Sequence, residues 1–212
     1  MELMVENLSQ AIGSEAFKLF TNPKFRNLCL FDTISQLEQD RIFNELVIAV
    51  VTVMMLTCDA PDISDERKAL LSKFKDQIAK SYTNQLKSLG VERKFLKQWD
   101  QLIEMRYQEY THDKSMAREA AFEVESGYGE IYLKKLSEIQ MMLPLQTVAI
   151  GCHRHICRSK TDGRDELFKL ILRWLGEFYV EFRVSAEGKS IHPLSRLKVK
   201  LRRWFNSKNR VK

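Results

Sequence analysis

One stretch limits what the rest of this chain can be: the thirteen residues from Leu46 to Cys58 are apolar apart from two threonines. Wound as a helix, that run is apolar on every face, and such a helix needs neighbours all round it. It falls short of the ~20 residues that span a bilayer, so the expectation is a central core helix. Its start is signalled by Ser35 and Glu38, the capping-box spacing in which a hydroxyl and a carboxylate each accept a backbone N–H. The predicted helix covers residues 36–57. Its first half is two-faced, with Leu37, Ile42 and Phe43 set against Glu38, Asp40 and Arg41. Asn44 and Glu45 extend the polar patch to the edge of the apolar run. Charged side chains are rarely buried unpaired, so the patch reads as exposed first turns, with buried ion pairing as the alternative.

The surrounding sequence supplies helices to cover that core. Eight Gly and four Pro in 212 residues are few for an architecture of short strands and tight turns. Val5, Leu8, Ile12, Leu19 and Phe20 lie at helical spacing over residues 2–20, ending at Asn22-Pro23. Residues 24–33 fit neither period and read as loop with a possible helical turn. Ser64, followed by Asp65 and Glu66, offers a cap and two acids for the positive end of a helix. Leu70, Leu71, Phe74, Ile78, Tyr82 and Leu86 then recur at steps of three and four before Gly90 stops the helix. A further helix is expected over residues 92–125, with a break near Thr111 to Ser115. Gly127 and Gly129 punctuate before residues 130–143, where Pro144 forces an end or a kink, and residues 145–158 resume. After the Asp162-Gly163 turn, Leu167, Ile171, Trp174, Leu175, Phe178 and Phe182 trace a stripe that must be covered. The fold class that follows is all-α: a single-domain multi-helix bundle over residues 1–188, with a basic amphipathic C-terminal segment at residues 189–212.

Charge separates those two parts. Residues 189–212 hold nine Lys or Arg and no acid, leaving 25 of the 34 basic residues against all 28 acidic ones in residues 1–188. Pro193 suits the first turn of a helix, where its missing N–H has no intrahelical role. At about 100° per residue, Leu194, Leu197, Leu201, Trp204 and Phe205 share one arc. Arg196, Lys200, Arg202 and Arg203 occupy other faces, and Lys198 borders the stripe. An apolar stripe beneath a cationic face resembles helices that lie in a lipid headgroup layer or enter a partner's groove. The bland alternative is that the same stripe closes the bundle. Nucleic acid ranks lower, because the aromatics sit on the apolar stripe rather than as stacking platforms. The N-terminal twenty residues mix Glu2, Glu6, Glu15 and Lys18 among apolar ones, unlike a signal peptide. The expected location is cytoplasmic, with peripheral membrane contact through the tail.

Two constellations carry metal-capable groups. Glu109 and His112 have the Glu-x-x-His spacing of carboxylate-bridged di-iron helices. Such sites need a second copy, which the chain lacks, and inward glutamates, for which Glu45, Glu104 and Glu138 are the candidates. The segment Cys152-His153-Arg154-His155-Ile156-Cys157 is the densest in zinc-type ligands. On a helix His153 and Cys157 lie about 40° apart, while Cys152 and His155 lie on the other flank. One helix therefore offers two convergent ligands, and a structural zinc site wants four. The missing pair would have to come from Cys29, Cys58, His112 or His192. Packing is the simpler reading, with Cys152 and Ile156 continuing the apolar face of Leu145 and Ala149, and the expectation is no cofactor and far less than one zinc or iron per chain.

No phosphate-binding glycine loop, nucleophile elbow or zinc-protease motif occurs. The resulting functional expectation is a non-catalytic interaction or adaptor module whose body binds a protein partner or a second copy of itself. Its cationic tail, through Arg196, Lys198, Lys200, Arg202, Arg203, Trp204 and Phe205, would contact an anionic membrane or acidic partner. The alternatives are a helical enzyme, metal-dependent through Glu109, His112, His153 and Cys157, and a structural protein whose tail helix closes the bundle.

Overall fold

The apolar run becomes a central helix. A computed structural model of the chain describes residues 2–60, 63–127, 133–158 and 165–188. Among these residues the elements are α1 (Glu2–Phe20), α2 (Pro23–Leu28), α3 (Gln36–Cys58), α4 (Asp65–Ser88), α5 (Arg93–Gly127), α6 (Leu133–Ile156) and α7 (Glu166–Ala186), with no strand. The basic segment, with Arg196, Lys198, Lys200, Arg202, Arg203, Trp204 and Phe205, lies outside the described residues, as do the Asp162-Gly163 turn and His192.

Every residue of α3 from Glu45 to Cys58 is buried. Its neighbours are α1, α4, α5, α6 and α7. By length and composition α3 is apolar enough to cross a membrane, but 83% of its most apolar window is buried inside the molecule. The two threonines cause no conflict, since Thr52 donates to the Ile48 carbonyl at 2.7 Å and Thr57 to the Val53 carbonyl at 2.5 Å. A buried hydroxyl satisfied by its own helix leaves the packing surface apolar. The covering helices present the expected stripes: Val5, Ile12, Ala16 and Leu19 from α1; Leu71, Phe74, Ile78 and Tyr82 from α4; Leu167, Ile171, Leu175, Tyr179 and Phe182 from α7. Each buried Val, Leu or Ile side chain contributes roughly 1.5–3 kcal/mol over exposure.

The helix ends follow local chemistry, with departures from the sequence reading. Ser35 accepts the Glu38 N–H at 3.3 Å, but the Glu38 carboxylate does not return to Ser35; it binds Arg41 and Arg158. Only half of the capping box forms, because two guanidiniums outcompete a neutral N–H for a carboxylate. Ser64 stands at the N-cap of α4 without a capping bond from its side chain. Residues 23–28 form the short helix α2 rather than a loop: Asn22 accepts the Phe25 N–H, and Pro23 occupies the first turn. At the far end of α4, Gly90 has φ 89°. Its N–H reaches Lys87 at 3.0 Å and that of Val91 reaches Leu86 at 3.1 Å, the paired bonds of a Schellman stop that needs the left-handed backbone glycine tolerates.

The break expected in α5 and the end expected at Pro144 are both absent. The helix α5 runs unbroken for 35 residues, about 52 Å at 1.5 Å per residue, with Thr111 donating back to the Tyr107 carbonyl at 2.7 Å. The helix α6 continues through Pro144. There the Tyr179 hydroxyl donates to the Met141 carbonyl, supplying from α7 a donor in the turn that the proline's missing N–H weakens.

Candidate functional site

Polar chemistry collects around the C-terminal turns of α6, because this segment faces two neighbours at once. His153 and His155 are two residues apart, about 200° around the helix, so they cannot share a partner. His155 turns to α5 and places Nε2 2.9 Å from Glu109 Oε1 and 3.0 Å from Oε2. Arg106 then donates from Nη1 to Glu109 at 3.2 Å, and from Nη2 and Nε to Glu45 at 2.8 and 3.2 Å. Glu45 is 5% exposed. Buried ion pairing, the alternative weighed from sequence, is what α3 carries here; its partner comes from a helix 61 residues along the chain. A single buried carboxylate would be expensive to ionise, whereas a forked guanidinium on both oxygens compensates it.

Beside this seam, Arg41 closes the C-terminus of α6. Its Nη1 donates to the His155 carbonyl at 2.7 Å and Nη2 to the Ile156 carbonyl at 3.0 Å. A cation on terminal carbonyls satisfies acceptors that lack intrahelical donors and complements the helix dipole. Glu38 holds Arg41 in place and also takes Arg158, at 2.5 Å. The Arg41 and Arg158 guanidiniums hold the Glu38 carboxyl down at about 2.

His153 faces α7. It is 1% exposed, with Nε2 2.9 Å from Asp165 Oδ1 and 3.0 Å from Oδ2. Cys157, one turn on, places Sγ 3.6 Å from the same nitrogen. The ligand atoms of His153, Cys157 and Asp165 all lie within 4.8 Å of one another. Asp165 is fixed by its other task, since Oδ1 caps α7 by accepting the Phe168 N–H at 2.8 Å. The Phe168 ring meets the His153 imidazole edge-on at 5.7 Å. A small cavity of about 180 Å³, lined by Cys29, Cys157 and Leu167 among others, opens beside this group.

The structure divides the metal candidates differently from the sequence. His153 and Cys157 do converge. Glu109 and His112 do not act together, because His112 is exposed while Glu109 is engaged by Arg106 and His155. Glu104 and Glu138 are exposed, and a guanidinium sits between Glu45 and Glu109, where a di-metal site would need its ions. Asp165 was missed as a ligand-capable partner. Its signal was legible: an Asp two residues before Leu167, where the stripe opens, stands at an N-cap position, and a cap side chain is held at a fixed place. Arg106 and Arg41 left no comparable signal, because nothing local says which carboxylate or carbonyl a long side chain will reach.

The thiols are not poised for attack. Burial pushes Cys29 and Cys58 up to about 12, and it raises Cys152, and less strongly Cys157, with nearby carboxylates adding to it. The thiolate is the nucleophile, so these four free cysteines are held in the unreactive form. The polar groups also lie away from a cleft of about 600 Å³ between α5 and α6, lined by Phe122, Ile139 and Leu143 with Arg118 and Glu119. Tyr110 adds a buried hydroxyl with no hydrogen-bond partner among the described residues, its ring pressed on Gly151. No family model, no curated protein and no solved structure matches the chain.

Proposed function

We propose that the chain is a non-catalytic helical interaction module that uses its cationic C-terminal segment to engage an anionic membrane surface. The observation that carries this reading is the burial of α3: Glu45 to Cys58 are buried in a core whose other members, among the described residues, come from α1, α2, α4, α5, α6, α7 and their connections. On this reading the Leu194, Leu197, Leu201, Trp204 and Phe205 stripe is not needed to finish the bundle. The stripe and its nine flanking cations are then available for a surface that offers both hydrocarbon and negative charge. Against an enzyme stand the separation of the polar clusters from the cleft between α5 and α6 and the raised thiols, since a catalytic site brings convergent, activated groups into a cleft. The body has apolar surface for a protein partner too, with Met116 and Phe122 of α5 more than half exposed.

The test uses the full chain and vesicles with and without phosphatidylserine. Replacing Arg196, Lys198, Lys200, Arg202 and Arg203 by Gln removes five charges, each worth about 1 kcal/mol near an anionic surface. Co-sedimentation at low salt should fall by at least about 100-fold in affinity, and moderate salt should weaken the unmodified chain in the same direction. Equal binding by both proteins, or none by either, would overturn the proposal.

A further inference from the structure

The geometry points to a site for a borderline-soft divalent cation, zinc first among them, held by His153 Nε2, Cys157 Sγ and the Asp165 carboxylate. This departs from the expectation of a metal-free chain, and the reason is Asp165. Helix geometry alone sets two convergent ligands on one helix; the start of α7 delivers a third to the same point.

The distances decide more than the residue types. With Zn–N of about 2.0–2.1 Å and Zn–S of about 2.3 Å, a tetrahedral zinc sets nitrogen and sulfur about 3.6 Å apart. The His153 Nε2 to Cys157 Sγ separation is 3.6 Å. The nitrogen-to-oxygen edge of such a tetrahedron is about 3.3 Å, so Asp165, now at 2.9–3.0 Å, must withdraw by a few tenths of an ångström. Its side chain is 44% exposed and has room to do so. A helix holds the first two ligands one turn apart on one face, and the Phe168 N–H holds the third through Oδ1. That is the outer support a ligating carboxylate ordinarily has. The imidazole is enclosed, the carboxylate meets solvent, and three protein ligands leave one position for water.

An imidazole, a thiol and a carboxylate converge here, and a divalent ion deprotonates the thiol it binds. The thiolate also sets the selectivity, because magnesium and calcium prefer all-oxygen sites. Bound there, the ion clips the end of α6 to the start of α7.

Cobalt(II) serves as the probe, since thiolate ligation gives it a charge-transfer absorption that zinc lacks. The reduced full chain should take up one cobalt per molecule, develop that band, and release the cobalt to zinc but not to magnesium. Cys157→Ser should abolish the band. Asp165→Asn keeps a side chain that ranks with Asp as an N-cap, so α7 stays started. It should nevertheless weaken binding at least tenfold, no less than the roughly 10- to 100-fold that follows loss of an outer-shell partner. Circular dichroism of both variants should match that of the unmodified chain, and metal should raise the melting temperature of the unmodified chain but not of Cys157→Ser. Absence of saturable binding at micromolar metal, a band that survives Cys157→Ser, or unchanged affinity in Asp165→Asn would each overturn the assignment.

Discussion

Two buried tyrosines present the same hydroxyl to different surroundings. Tyr179 donates to the Met141 carbonyl beside Pro144, whereas the Tyr110 hydroxyl has no partner among the described residues and burial holds its pKa well above the ordinary value. Removing a satisfied hydroxyl strands its acceptor and costs about 1–3 kcal/mol; removing an orphaned one costs nothing. Tyr179→Phe should therefore destabilise by that amount and Tyr110→Phe should be neutral or stabilising by up to about 1 kcal/mol, read from urea melts. The opposite order would contradict the hydrogen-bond assignment. Glu38 gives the acid side of the account. Its folded value of about 2 lies below its ordinary 4.5 because Arg41 and Arg158 bind the carboxylate. The group binds fewer protons folded than unfolded in this range, so its contribution is complete above pH 4.5 and is lost as the pH falls toward 2. Glu38→Gln should flatten the decline in melting temperature across that window; an unchanged slope would show the pair to be energetically silent. At this scale the sequence was informative about residue types and poor about partners. Glu45 looked like part of an exposed patch because its counter-ion, Arg106, lies 61 residues away.

Helices were more legible than their irregularities. The α1, α4 and α7 stripes recur at helical spacing and the α3 run is apolar on every face, signals local to each helix, so they were readable one segment at a time. What escaped depended on other elements. Pro144 was expected to end or kink a helix, yet α6 runs through it with Tyr179 of α7 bonded to the adjacent turn. The break expected near Thr111 to Ser115 is absent from α5, since weak helix formers are tolerated where a long helix packs along neighbours, here α3, α4 and α6. The short α2 escaped because six residues are too few to display a period. The contact of α5 with α6 is tight at Gly151, where an added Cβ would fall 2.1 Å from Tyr110 Cε1. Backbone and ring both belong to the packed interior, and overpacking of this kind costs typically 1–3 kcal/mol. Gly151→Ala should lower stability by at least that much despite the better helix propensity of alanine, and a neutral result in a thermal melt would mean that the two helices are farther apart than described.

For the whole molecule, the account separates a closed body from a charged end. The body was foreseeable because one apolar helix demands a shell, and the shell formed from the segments whose stripes asked to be covered. The metal corner was half foreseeable: His153 and Cys157 were placed by helix geometry, while Asp165 depended on how α7 returns. The measurement that bears most directly on the account is a comparison of the full chain with residues 1–188, in thermal melts and in co-sedimentation with phosphatidylserine vesicles at low and moderate salt. The account predicts that the shortened chain melts cooperatively within a few degrees of the full chain and no longer sediments with the vesicles. A shortened chain that unfolds or aggregates, beside a full chain that ignores the vesicles, would mean that residues 189–212 complete the core and would contradict the division on which the proposed function rests.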